Sequence, residues 1–543
     1  MQPMSGLMRS PRFLSKGLRT LFAPSLATAA ALLAAPADAA IVPGQVLLRV
    51  GDAPTGGPLV TEIGDPFVND GGQVGTLATL DDGDHLVFVG GMVPWLGSTA
   101  APAVLFVTET DMDSTAAGGF VYAPNIDGQD GIWTDLGQLA IEGEAAAGFP
   151  MGSSYAFHGR PSMTADGAIY WIAGIDLDGS GDAEVQAFYR SPDGVPGNFE
   201  LLLAGGDMVG AEVIDDAFAG SDGGIDGDYA LSEDGAHRIH VLNLDGDPGF
   251  DGVVWVDDAI VMREGDPTGD GDGWGNFDLV SINAAGDYLV SGNTDGPPGT
   301  DEFIAVNGTL AVREGDMIGG ITLQTSASLR FATIDDLGHA SHAWGYQMAG
   351  SFRETVFFSC NAADLANTSV PVLTSFSDSI DVDGDMVGDF TVTDVLGSTD
   401  VGARAIGGTT FVYAEVELDD GDSVTQAIVE LPVICCGNGV VDPGEDCDDG
   451  NPDNDDECTE QCAFPTCGDL FVQPSIDEQC DLGPDNQDTS DCTTLCQDAK
   501  CGDSFVWENH EQCDNGDQNA NDAACKADCT DNVCGDGFVG PGE

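Results

Sequence analysis

Three nine-residue loops in this chain carry oxygen-bearing side chains at alternate positions, a spacing that suits a hard divalent cation. They are Asp176-Leu-Asp178-Gly-Ser180-Gly-Asp-Ala-Glu184, Asn243-Leu-Asp245-Gly-Asp247-Pro-Gly-Phe-Asp251 and Asp381-Val-Asp383-Gly-Asp385-Met-Val-Gly-Asp389. Calcium takes six to eight oxygen ligands, and a tight glycine-bearing loop lets alternate carboxylates converge on one ion. Plain Asp-Gly turns use the same residues without an ion, because an Asp side chain can cap its own turn. The expectation is calcium at Asp176, Asp178, Ser180 and Glu184, at Asn243, Asp245, Asp247 and Asp251, and at Asp381, Asp383, Asp385 and Asp389. Asp270-Gly-Asp272 fits less well, since Trp274 holds its fifth position.

The second chemistry is that of sulfur. From Cys436 onward the cysteines form a ladder: Cys436, Cys447, Cys458, Cys462; then Cys467, Cys480, Cys492, Cys496; then Cys501, Cys513, Cys525, Cys529. Rungs this short bury no useful apolar core, so covalent bridges must hold them. Zinc sites want two short Cys pairs, and each rung has only one C-x3-C. Disulfides are therefore expected, with three pairings open in each rung. Cys534 opens an incomplete fourth rung, and Cys435, adjacent to Cys436, is expected to bond back to Cys360.

Signals for catalysis are weak. The chain has no G-x-S-x-G elbow and no H-E-x-x-H pair. His237 and His240, and His339 and His342, stand three apart, a spacing that sends strand side chains to opposite faces. Ser191-Pro-Asp193-Gly194-Val195 resembles a sialidase Asp-box but has Val195 where glycine is needed. Abundant Asp and Glu hide any paired carboxylates of a glycoside hydrolase.

These residues sit on a tandem array. An apolar strand running into Gly-Asp or Gly-Glu recurs at Gly51-Asp52, Gly143-Glu144, Gly206-Asp207, Gly265-Asp266 and Gly315-Asp316. A polar turn ending in glycine alternates with it, at Gly83, Gly167, Gly235, Gly286 and Gly338, with a degenerate copy near Leu396-Gly397. Asp257-Asp258 and Asn307-Gly308 read as two-residue hairpin turns. Period-2 alternation with frequent Gly and Asp makes the region all-β. Repeats of this length supply one four-stranded sheet each, and packing such sheets radially protects their edges. Residues 40–434 are expected to form a six-bladed β-propeller, with seven blades or an extended string of β-sandwiches as the alternatives, followed by disulfide-rich repeats at 435–543 (436–466, 467–500, 501–533 and a truncated 534–543).

Three resemblances follow from these motifs. Asn283-Ala-Ala-Gly286 and the two Arg-Glu-Gly-Asp hairpins resemble the bacterial tandem-repeat family named for its NxxGxxAF motif, whose exported members often end in surface anchors. The ladder, with Cys467-Gly-Asp, Cys501-Gly-Asp-Ser and Glu445-Asp-Cys447-Asp-Asp-Gly-Asn451, resembles the myxococcus cysteine-rich repeat. That likeness implies a surface or secreted protein of a myxobacterium-like organism, and neither family brings an established activity. The nine-residue loops resemble the calcium loops of integrin-type propeller blades.

The first residues fit export. Arg9, Arg12, Lys16 and Arg19 precede the apolar stretch 26–35, and Ala37-Asp38-Ala39 matches a cleavage site, so residues 1–39 read as a signal peptide. Its removal takes away four cations and one carboxylate, moving the net charge from −78 to about −81. So acidic a surface repels nucleic acid and anionic membranes, and no later run is long enough to span a bilayer. The leading reading is a secreted or cell-surface, calcium-stabilised, non-catalytic propeller that binds an extracellular protein or glycan. The alternatives are a carbohydrate-active hydrolase or lyase on the same scaffold, and a structural envelope component.

Overall fold

The computed structural model describes residues 40–542 apart from 65, 70–71, 98–111, 127, 217–223, 247–249, 324–326, 349, 397–402, 407–408, 437–440, 442–444, 452 and 460–461. The expected leader, residues 1–39, lies outside the described residues. The chain divides into two compact units, one reaching Pro432 and the other running from Val433, with 407–410 grouped in the second. No helix among the described residues is long and apolar enough to cross a membrane.

The first unit is a propeller of seven blades, numbered here in chain order. Blade 1 is Val60–Ile63 with Phe67–Val68, Val74–Leu80, His85–Val89 and Met92–Leu96; blade 2 is Met112–Ser114, Phe120–Tyr122, Gln129–Thr134 and Gly137–Ile141. Blade 3 is Ser154–Met163, Ile169–Asp176, Val185–Ser191 and Glu200–Ala204; blade 4 is Ile225–Leu231, Arg238–Asn243, Gly252–Val256 and Ala259–Arg263. Blade 5 is Trp274–Ile282, Tyr288–Thr294, Glu302–Val306 and Thr309–Arg313; blade 6 is Ser328–Ile334, Ala340–Met348, Ser351–Ser359 and Ser369–Thr374. Blade 7 joins the two ends of the domain. Phe390–Val395, Thr409–Asp419 and Val424–Val433 accept Gln45–Arg49 as their outermost strand. Ile41–Pro43 adds a parallel pair with Ser379–Asp381.

The expected count of six is therefore corrected to seven. Between Gly51 and Gly143 the chain builds two blades, and the outer strand of blade 1, Met92–Leu96, is followed in sequence by no Gly-Asp or Gly-Glu that would mark it. The turn at Asp81–Gly83 joins the second and third strands of blade 1, whereas those at Gly167, Gly235, Gly286 and Gly338 join first and second strands. Their counterpart in blade 1 is Asn69–Gly72, where the Gly72 N–H donates to the Asn69 carbonyl at 2.8 Å.

Strand alternation explains the radial packing. All eight residues of Ile169–Asp176 are buried, which is why the segment reads as a continuous apolar run. Ile169, Trp171, Ala173 and Ile175 pack with Val121, Ile132 and Leu139 of blade 2. Tyr170 and Ile172 face the other way, onto Leu242, Val253 and Trp255 of blade 4. Successive side chains on a strand point to opposite faces, so each blade shares a core with both neighbours. Blades 7 and 1 close the ring in the same way through Leu48, Tyr413, Ile428, Val60 and Phe88.

The Gly-Asp sites occupy equivalent corners. Gly51, Gly143, Gly206, Gly265 and Gly315 each follow the outermost strand of a blade, with φ of 101°, 83°, 88°, 78° and 94°. That conformation is left-handed and favours glycine. Asp52, Asp207 and Asp316 then accept the backbone N–H of Arg49, Ala204 and Arg313 at 2.8 to 2.9 Å, capping the strand end. Blade 6 makes the corner without glycine, through Phe376 at φ 55° and Asp378, which accepts from Thr374 N at 2.7 Å.

In the second unit the bridges are nested. Cys436–Cys462 encloses Cys447–Cys458, Cys467–Cys496 encloses Cys480–Cys492, and Cys501–Cys529 encloses Cys513–Cys525. Cys360 and Cys435 are also disulfide-bonded, and Cys534 is a free, exposed thiol. The Asp that follows the second cysteine of a rung, Asp481 and Asp514, has a clear role. One oxygen of Asp514 accepts from Gly502 N at 2.7 Å and Asp503 N at 3.0 Å, and the other accepts from Asn519 Nδ2 at 2.8 Å. Asp481 repeats this with Gly468, Asp469 and Asn486 at 2.7, 3.1 and 2.9 Å. Such a carboxylate does the work of an apolar core, tying three chain segments by charge-assisted hydrogen bonds.

Candidate functional site

The loop at Asp176 joins the second and third strands of blade 3 and brings three of its four predicted ligands together. Oxygens of Asp176, Asp178 and Glu184 lie within 4.8 Å of one another. Ser180 joins them through its Oγ, which donates to Glu184 Oε1 at 3.2 Å. Asp176 Oδ1 accepts from Asp178 N and Gly179 N at 3.1 and 2.6 Å, and Oδ2 accepts from Gly181 N at 2.9 Å. These backbone donors, Gly181 foremost, hold the Asp176 carboxyl below its ordinary range.

The loop at Asp381 repeats the pattern in blade 7. Asp381 accepts from Asp383 N, Gly384 N and Met386 N at 3.2, 2.8 and 2.8 Å, and Asp389 Oδ2 accepts from Val382 N at 2.9 Å, as Glu184 does from Leu177 N. Asp385 Oδ1 caps Val387 N at 2.8 Å. Partial desolvation opposes ionisation of Asp381, yet the N–H groups of Gly384, Met386 and Asp383 outweigh it and lower its pKa. Both loops thus gather carboxylate oxygens that accept backbone N–H groups of their own turn. In the third loop Asn243 ends a strand, Leu244 N donates to Asp251 O at 3.0 Å, and Asp245 N donates to Val213 O at 2.8 Å. Asp247 lies outside the described residues. Asp270 and Asp272 are both paired with the Arg313 guanidinium.

The histidines form no metal pair. His237 meets Asp257 at 2.5 Å at the surface, while His240 is fully buried, stacked on Tyr229 and edge-on to Phe188. His342 is buried with Ser369 Oγ at Nε2 and the Trp344 indole N–H at Nδ1, 2.9 and 3.1 Å away. Burial pushes His240 and His342 down to about 3, so both stay neutral. Asp193 accepts from Val195 N at 3.1 Å and Asn198 Nδ2 at 2.9 Å, closing an ordinary turn.

Sequence reasoning missed a set of bulges on the first strands, which lie innermost in a propeller. Pairing to the second strand skips Arg160 and Pro161 in blade 3, the residues up to Asp228 in blade 4, Asp278 and Leu279 in blade 5, Arg330 in blade 6 and Thr393, next to Asp394, in blade 7. A bulge forfeits ladder bonds and re-aims a side chain, and bulges concentrate near functional sites. Here each bulge holds or adjoins a charged residue. Arg160 Nη1 meets Asp228 Oδ1 at 3.0 Å, and the Tyr229 hydroxyl donates to Arg160 O at 2.5 Å.

Two glutamates on third strands bridge to the first strand of the next blade. Glu302 Oε1 accepts from Leu329 N at 2.7 Å; Glu354 Oε2 accepts from Val395 N at 3.3 Å while its Oε1 pairs with Arg330 at 2.5 Å. Burial, aided by the neighbouring Glu314, Asp278 and Asp301 charges, pushes Glu302 up to about 8. Burial and Asp394 push Glu354 upward, against the pull of Arg330. No signal in the sequence separates these two acids from the other carboxylates, since only the tertiary packing buries them.

No family model matches the chain. Among solved structures, KlHsv2 with loop 6CD replaced by a Gly-Ser linker matches with a TM-score of 0.32 and 9% identity, over 67% of this chain and 95% of that one. A gluconolactonase from Xanthomonas campestris gives 0.26 and 15% over 57% and 95%. Prolyl oligopeptidase B from Galerina marginata gives 0.37 and 10% over 69% and 51%. The propeller is established by its own sheet order and shared cores.

Proposed function

We propose that this is a secreted or cell-surface binding protein. Its propeller engages an extracellular protein or glycan, calcium in the Asp176 and Asp381 loops (and the Asn243 loop) stiffens it, and the disulfide-rich repeats act as a spacer. The observation that carries this reading is the display of charged side chains at or beside five successive first-strand bulges on a ring closed by both ends of its own domain. A rigid scaffold that holds polar groups out of their ladder is organised for recognition. Disulfides across all three rungs fit an oxidising compartment. The test is a panel of extracellular glycans and proteins offered to the full chain in calcium and in chelator. Binding without turnover supports the reading, and failure to bind any member sinks it.

One observation favours a second reading, a carbohydrate-active hydrolase or lyase. Glu302, pushed up to about 8, keeps its proton at neutral pH beside the charge of Asp278, so an acid and a base stand together. Product release from any panel glycan, abolished by Glu302→Gln, would replace the binding reading with this one.

A further inference from the structure

We infer that the side chains at the first-strand bulges of blades 3 to 6 form a glycan site around the propeller axis, taking a neutral, hydroxyl-rich oligosaccharide. This deepens the binding reading and rests on it. The bulge residues carry both signs along the ring, with Arg160 and Arg330 flanking Asp228 and Asp278. An anionic ligand would meet a carboxylate beside each guanidinium, and a cationic ligand the reverse. A sugar hydroxyl both donates and accepts, so a row of them satisfies both kinds of partner at once.

The arginines are placed as such a site requires. Of the nine arginines after residue 39, the described strands put only Arg160 and Arg330 on first strands. Their side chains stay 48% and 35% exposed although each is ion-paired, so a ligand can reach them. Asp278 is exposed, and the half-buried Leu279 and Leu329 beside the bulges offer apolar surface to the C–H faces of a sugar ring. Tyr229 adds a phenol next to Arg160. The strongly acidic remainder of the protein disfavours anionic polymers over neutral ones.

The experiment uses the full chain on an array of neutral, uronate-bearing and amine-bearing oligosaccharides, followed by calorimetry with the best neutral binder. Arg160→Gln and Asp278→Asn should each weaken binding about tenfold or more, the loss expected when a hydrogen bond to a charged group goes. Arg263→Gln, on the outermost strand of blade 4 and paired with Glu212, should change nothing. Melting temperatures of the variants, and Tyr229→Phe as a milder change, separate lost binding from lost folding. Undiminished binding in both bulge variants overturns the site while leaving the binding reading intact. An array that retains only charged glycans, or none, overturns the inference also. Turnover of a neutral glycan that both variants weaken supports the site but retires the non-catalytic reading.

Discussion

At the residue scale, Met386 is the clearest liability. It stands at φ 63°, in the place that Gly181 fills at φ 90° in the matching loop, and its side chain is 79% exposed. A left-handed L-residue costs about 1–2 kcal/mol, partly offset by the entropy glycine loses on folding. Met386→Gly should therefore raise stability by up to about 1 kcal/mol, read as a higher melting temperature. Glu302 makes a pH prediction. Its pKa rises from 4.5 unfolded to about 8 folded, so the folded state prefers the proton. Its stabilising contribution is complete below pH 4.5 and is lost as pH climbs through 8. Melting temperature should fall between pH 5 and pH 9, and Glu302→Gln should flatten that slope. A slope unchanged in the variant would refute the assignment.

At the element scale, the turn between first and second strands couples neighbouring blades. Asn283 is 2% exposed, accepts from Ala285 N and Asp287 N at 3.1 and 2.9 Å, and donates through Nδ2 to the Asp335 carbonyl of blade 6 at 2.9 Å. Asn69 makes the analogous link to Ser114 of blade 2 at 3.1 Å. Asn283→Ala should cost about 1–3 kcal/mol in chemical denaturation, because it strands buried partners. Rungs couple too. Gln473 Nε2 donates to Asn454 O at 3.2 Å and Ser475 Oγ to Asp456 O at 2.6 Å, while in the next rung the Trp507 indole donates to Asp491 at 2.8 Å and Glu508 N to Thr489 O at 3.0 Å. Each rung carries its own disulfides, and these contacts show that neighbouring rungs also brace one another. Trp507→Ala should leave every bridge intact by peptide mapping while speeding hydrogen exchange at the junction of the second and third rungs.

At the scale of the whole molecule, closure decides stability. Gln45–Arg49 pairs with Val424–Val433, so one blade is completed by strands nearly the full domain apart in sequence. Removing residues 40–52 would bare the edge of Val424–Val433 and the apolar surface under Leu48, which invites aggregation. The shortened chain should lose cooperative unfolding in calorimetry. Calcium acts at the same scale, since an ion that binds only the folded state stabilises it by mass action, about 2.7 kcal/mol at a hundredfold excess over Kd. Melting curves that superimpose in calcium and chelator, for the parent chain and for Asp176→Asn alike, would remove calcium from the proposal.

Much of this was legible in the sequence. Gly265-Asp266 and Gly315-Asp316 announced strand-ending corners because only glycine enters the left-handed region cheaply, and Asp257-Asp258 and Asn307-Gly308 announced hairpins whose four central residues do take positive φ. The cysteine spacing defined the rungs, although not which sulfur meets which. What sequence could not supply was anything depending on who lies beside whom. Blade 1 has no Gly-Asp or Gly-Glu after its outer strand, blade 6 made a corner from Phe376 and Asp378, and blade 7 drew its strands from both ends of the domain, so counting motifs stopped at six. Arg160, Asp278 and Arg330 look like any surface charges in a strand, and Glu302 and Glu354 like any of many acids. A bulge is a mismatch between two strands and a raised pKa is a consequence of burial, so both come into being only when separate segments pack together.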